Sequence, residues 1–144
     1  MKRSEALAPL SRDHHRSLIL AQLLKKNAPA YKDLPSTTEG KIRYAVDEFE
    51  KDIKVHFEKE EQVLEKIQGY NKEIDLLAAE IRNEHMNLAE LFSALNTTTA
   101  PQDVMDELGR KLEAHIRKEE RSLFPMLEQY CSEETIQQFH ALLH

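Results

Sequence analysis

Apolar residues recur at three- and four-residue steps along four stretches of the chain, and a breaker closes each stretch. The first, about 11–27 (SRDHHRSLILAQLLKKN), opens on Ser11 as a candidate N-cap and ends on Lys-Lys-Asn, so both ends suit the helix dipole. The loop APAYKDLPSTT follows, punctuated by Pro29 and Pro35. The second stretch runs from about Glu39 to Gln68 with Ile42, Val46, Phe49, Ile53, Val63, Leu64 and Ile67 at helical spacing, and Gly69 is its stop. The third, about 71–96, carries Ile74, Leu77, Ile81, Leu88, Phe92 and Leu95 on one stripe, which TTTAPQ interrupts. The fourth, about 102–129, carries Val104, Leu108, Leu112, Leu123 and Leu127, and Pro125 is expected to bend or loosen its last third. A short fifth piece, SEETIQQFHALL, starts at Ser132 in a capping-box pattern with Thr135 in place of the usual Glu.

Four amphipathic helices with short connections predict an all-α fold, an antiparallel up-down-up-down four-helix bundle with a short C-terminal helix. Composition agrees: three Gly, five Pro and few β-branched residues favour helix over sheet. The length suits one domain spanning 1–144. A net charge of −6 without a basic stripe argues against a nucleic-acid partner. No apolar run approaches a membrane span, and MKRSEALAPLSRDHH has no apolar signal region. Cys131 stands alone, which suits a reducing compartment, so a cytoplasmic location is expected.

One six-residue pattern is written twice, HFEKEE at 56–61 and HIRKEE at 115–120. His-x-x-x-Glu carries little weight alone in a chain this rich in glutamate. The apolar stripes give it weight. His56 lies three after Ile53 and seven before Val63, His85 four after Ile81 and three before Leu88, and His115 three after Leu112 and eight before Leu123. His14 lies four after Leu10 and four before Leu18, which favours it over its neighbour His15. Each helix thus turns one His inward, and Glu60 and Glu119, one turn on, share that face. Depth agrees as well. Midpoints between successive histidines fall at Pro35, between Tyr70 and Asn71, and at Ala100, all within breaker segments, so the four come to one level of an antiparallel bundle.

Two carboxylates in a core without Lys or Arg on the same stripes require positive charge from elsewhere, and a metal supplies it. Imidazole plus carboxylate without thiolate suits iron, manganese or zinc. Six ligands exceed one tetrahedral zinc but suit two metals sharing carboxylate bridges. At roughly six positions per iron, four His, two bridging Glu and a bridging oxo or hydroxo leave about two positions open for water or a small ligand. Neither the Glu-x-x-His motif of ferritin-like di-iron proteins nor His-Glu-x-x-His occurs.

The ordered set His14, His56-x-x-x-Glu60, His85 and His115-x-x-x-Glu119, with the stretches LSRDHHRSLILA and HIRKEERSLFPML, resembles the haemerythrin-like (HHE) domain family over nearly the whole chain. The resemblance implies a four-helix bundle around two carboxylate-bridged non-haem irons that bind or react with oxygen, nitric oxide or peroxide, in sensing, stress response or repair of iron centres. The sequence departs from the oxygen carriers. Their His-x-x-x-His on helix three has no counterpart, since Ile81 and Ala89 flank His85 at four residues, and the last carboxylate is Glu119 at i+4. The pattern is similar to the four-His, two-Glu members, with one more open position than the carriers. The reading favours a metal- and ligand-binding protein over a dedicated enzyme. Its alternatives are an oxygen or iron storage or sensing module without turnover, and a metal-free helical interaction protein with core histidines. A small diatomic ligand is the expected partner, while no protein partner is identified. Glu61 and Glu120 read as solvated charges, and His140 and His144 as surface residues.

Overall fold

The computed structural model describes residues 3–144, and every regular element among them is helical. Four rods and a terminal helix follow one another: α1 (Ala8–Leu24); α2 (Thr38–Glu48) continued through a π turn, π1 (Phe49–Ile53), into α3 (Lys54–Lys66); α4 (Lys72–Ala94); α5 (Pro101–Lys118) continued through π2 (Glu119–Leu123) into α6 (Phe124–Tyr130); and α7 (Glu133–Leu143). This is the helical bundle with a short C-terminal helix that the apolar pattern predicts. No described helix is long and apolar enough to cross a membrane.

Local chemistry sets most boundaries. Thr37 caps α2 by accepting from the Gly40 N–H, and Asn71 caps α4 by accepting from Glu73 and Ile74. Gly69 takes φ +80°, the left-handed conformation that ends a helix at low steric cost. Ser132 accepts from the Thr135 N–H, but the box does not close, because the Ser132 N–H donates to the Tyr70 hydroxyl. The first helix begins earlier than expected: Leu7 is its N-cap without a side-chain bond, Ala8 and Pro9 open its first turn, and Ser11 lies inside the first turns.

The second and fourth rods are long helices, each widened by one π turn. Lys54 N–H reaches Phe49 O and Phe124 N–H reaches Glu119 O, each one residue beyond the α register. Pro125 follows directly on the second of these turns. It has no N–H to donate, and its ring crowds the carbonyl four residues back, so the loosening expected there takes the form of a π turn.

Two apolar clusters fill the bundle on either side of a polar layer. One contains Leu20, Leu24, Phe92, Leu95, Leu108 and Leu112, and the other Leu10, Leu64, Ile74, Phe124, Leu127 and Phe139 from α7. Helices α1 and α5 approach closely, so that a Cβ on Gly109 would stand 2.6 Å from the Ala21 carbonyl oxygen. Only a glycine fits there without moving the backbone.

Candidate metal centre

Between the two apolar clusters, one His from each rod and one Glu from each of the second and fourth rods converge. His14, His56, Glu60, His85, His115 and Glu119 are each 5% exposed or less. The Nε2 atoms all turn inward: His14 Nε2 is 2.9 Å from Glu119 Oε1 and 3.5 Å from Glu60 Oε2, and His56 Nε2 is 3.0 Å from Glu60 Oε2. His85 Nε2 is 2.9 Å from Glu60 Oε1, and His115 Nε2 is 3.3 Å from Glu119 Oε1. His15, by contrast, is exposed on the outer face of α1.

The Nδ1 atoms all turn outward, each onto a further carboxylate. His14 Nδ1 meets Glu120 at 3.2 Å, His56 Nδ1 meets Asp13 at 3.0 Å, His85 Nδ1 meets Glu61 at 3.0 Å and His115 Nδ1 meets Glu84 at 2.7 Å. Glu61 and Glu120 are therefore not the solvated charges that helical periodicity suggests. Each sits half-exposed on its own helix and bonds a histidine of the neighbouring one. The acidic residues just before His14 and His85 do the same in the opposite direction. The doubled Glu of both cassettes, and the acid-His pairs Asp13-His14 and Glu84-His85, were the available sequence signals.

Three of the outer acceptors, Asp13, Glu84 and Glu120, are held below the ordinary carboxylate value. Burial raises the Glu84 and Glu120 carboxyls, but hydrogen bonds outweigh it, from His115 and Lys118 in one case and from His14 and Ser11 in the other, and both end below the ordinary value. Lys118 pairs with Glu84. Arg3 donates to the Glu120 carboxylate and backbone carbonyl and lies over the Phe124 ring at 5.4 Å. An Nδ1–H donated outward leaves the Nε2 lone pair facing inward. Aromatic rings fix the imidazole planes: Phe57 stacks on His85 at 4.0 Å and Phe124 on His14 at 5.6 Å.

Inside, the arrangement lacks its complement. His14 Nε2, His56 Nε2, His115 Nε2, Glu60 Oε2 and both Glu119 oxygens are buried with no hydrogen-bond partner of good geometry, although they lie close together. Lone pairs crowded onto lone pairs in a low-dielectric layer are tolerable only around positive charge. Without a cation, protons must supply it. Burial lowers the histidines, but the charge and close approach of the carboxylates more than reverse this, lifting His14 to about 11, His85 to about 10, and His56 and His115 to about 9. For the same reason Glu60 and Glu119 are held below the ordinary carboxylate value, against their burial.

The donor set fits metal ions better than protons, and it divides into two. His14, His56, Glu60 and Glu119 form one group whose ligating atoms all lie within 4.8 Å of one another, and Glu60, His85, His115 and Glu119 form a second. The groups share both carboxylates and divide the histidines equally. The chain is thus built from two hairpins of like design. Each supplies an acid-His pair from its first rod and His-x-x-x-Glu-Glu from its second, and each cassette's final Glu orients the other hairpin's histidine.

Comparison with known families agrees with this centre. The family model for the hemerythrin HHE cation binding domain matches residues 6–127, and again residues 76–143. No curated protein and no solved structure matches the chain. A match over most of its length places the chain in the hemerythrin HHE cation-binding family.

Proposed function

We propose that this member of the family holds two iron ions side by side, one between His14 and His56 and the other between His85 and His115, with Glu60 and Glu119 bridging them. The observation that carries this reading is the pair of overlapping ligand groups that share both carboxylates. Iron bound there supplies positive charge to the buried carboxylates and open positions at which dioxygen, nitric oxide or peroxide can bind or react. The chain's own residues do the rest: the outer carboxylates hold each Nδ1–H and keep the ligating Nε2 basic, while Phe57 and Phe124 exclude water from the ring faces. Ile81 and Ala89 supply no fifth histidine on α4, which leaves the pair more open than a site with one. Such openness favours reaction with small oxidants or nitric oxide, as in stress response or repair of iron centres, over reversible carriage. The lone Cys131 fits work in a reducing, cytoplasmic compartment.

Metal content per chain after anaerobic reconstitution with ferrous iron tests the proposal, on the wild type and on Glu119→Ala and His85→Ala. About two irons per chain, depleted in both variants, is the expected result. Zinc or manganese taken up in preference to iron would reassign the metal. No metal, with helix content unchanged, would leave a plain helical protein. If iron is bound, the rates of oxidation and of nitric oxide uptake separate a reactive centre from a storage or sensing one.

A further inference from the structure

The two hairpins match so closely at the centre that their differences outside it are informative. Counted from the histidines, Arg16 and Asn87 hold matching places, two residues after His14 and His85. Asp52 and Lys111 each stand four before the cassette His, and Val55 and Ala114 one before. In the first hairpin Arg16 bridges the outer groove, donating to Glu48 at 2.8 Å and lying 3.5 Å from Asp52. In the second hairpin the shorter Asn87 makes no such bridge. It has only Lys111, with Nζ at 3.5 Å from its Oδ1, and the neighbouring position is reduced from Val to Ala. A cleft of about 370 Å³ results between α4 and α5, lined by Asn83, Asn87, Lys111, Ala114 and Lys118 and reaching His115. A ring covers a histidine in both groups, Phe124 over His14 and Phe57 over His85, but only beside His14 does Arg3 fasten the N-terminal segment, over Glu120 and Glu128.

We propose that the α4–α5 cleft is the entry route for the exogenous ligand, which meets the metal position held by His85 and His115, while the His14–His56 position is the closed one. This rests on the two-metal reading above. Two amides and two lysines line the cleft, and its carboxylate, Glu84, is already engaged by His115 and Lys118. Such a rim admits small uncharged or anionic species, such as dioxygen, nitric oxide, peroxide or azide, and disfavours cations. Selectivity then lies in Asn87, Lys111 and Ala114, none of which touches a metal position.

The test transplants the lock of the first hairpin into the second, as Asn87→Arg, Lys111→Asp and Ala114→Val together, and uses azide as the probe. Azide association with the ferric chain, followed by visible absorption, is expected to slow by about tenfold or more while metal content and helix content stay at wild-type levels. An unchanged rate overturns the proposal. A second measurement needs no variant: in the zinc-loaded wild type, azide should shift the backbone amides of Asn83, Asn87 and Ala114. Shifts confined to Arg12, Arg16 and Val55 would place entry on the other hairpin and overturn it. A wild-type chain that takes up no metal fails the proposed function itself. A chain that loads two metals and binds azide without regard to the cleft fails only the entry route.

Discussion

The layer of Leu24, Phe92 and Leu108 and the layer of His14, Glu60, His85 and Glu119 lie next to each other in the same four rods, both sealed from solvent. Their physics is opposite. The apolar layer stabilises the fold through the water it excludes, and each large side chain contributes about 1.5–3 kcal/mol whatever is bound nearby. The polar layer costs free energy unless a cation or protons occupy its middle, because its lone pairs face one another. The bundle can therefore form around its two apolar ends, while the middle is fixed by what it binds.

Breaking the apolar side should have the largest effect. Phe92→Ala removes a fully buried ring that stacks on Phe49. It should cost about 3–5 kcal/mol, equally with and without metal, in denaturant unfolding. A loss seen only in the loaded chain would make Phe92 part of the centre.

A smaller effect sharpens the polar side. Glu61→Ala and Glu120→Ala each remove the acceptor of one Nδ1–H while leaving the inward ligand in place. Metal affinity should fall by about 10–100-fold in chelator competition, with little change in metal-free stability for Glu61→Ala, whereas Glu120→Ala also strips Arg3 and Ser11 of their acceptor. Unchanged affinity would return both residues to the role of solvated charges.

The smallest effect is one of pH. In the metal-free chain the four histidines titrate above their ordinary value of 6.5, at about 9 to 11. Their contribution is whole below about 6.5 and lost as the pH climbs through about 9 to 11. Glu60 and Glu119, held below their ordinary 4.5, contribute above that value and lose the contribution as the pH falls. Metal competes with the histidine protons, so alkaline pH strengthens its binding. The Tm difference between loaded and metal-free chains should widen steadily from pH 7 to about 10. A difference independent of pH would mean that the histidines are already neutral without metal.

The inward ring was legible in the sequence because one periodicity covers both apolar and imidazole side chains: His14, His56, His85 and His115 ride the stripes that bury Ile53, Ile81 and Leu112. Breaker midpoints supplied their common depth. The outward ring was not legible from the same rule. Glu61, with its side chain 45% exposed, is one residue off its helix's buried face, and its value comes from a histidine on another rod. Single-helix periodicity carries no information about that neighbour. The π turns were hidden for a different reason. One extra residue in a rod shifts the pattern by less than the tolerance of three-or-four spacing, so Glu39 to Gln68 reads as one uninterrupted helix. The start of α1 was misplaced because Ser11 has a capping residue's chemistry, yet its hydroxyl is spent on Glu120.

The π turn at Glu119–Leu123 also works as a phase shifter. An α-helix advances about 100° per residue, so the single added residue sets everything beyond it out of step with everything before. Upstream, His115 is clocked to the polar layer. Downstream, Phe124 and Leu127 are clocked to the far apolar cluster, and α7 follows from there. Loss of one residue, such as Ser122, would turn the Phe124 N–H to Glu119 O bond into an ordinary α bond and keep the Phe124 ring over His14, whereas straightening the turn with all its residues in place would swing the ring away. The rod thus serves two layers whose angular demands differ, and the junction between them falls at Glu119.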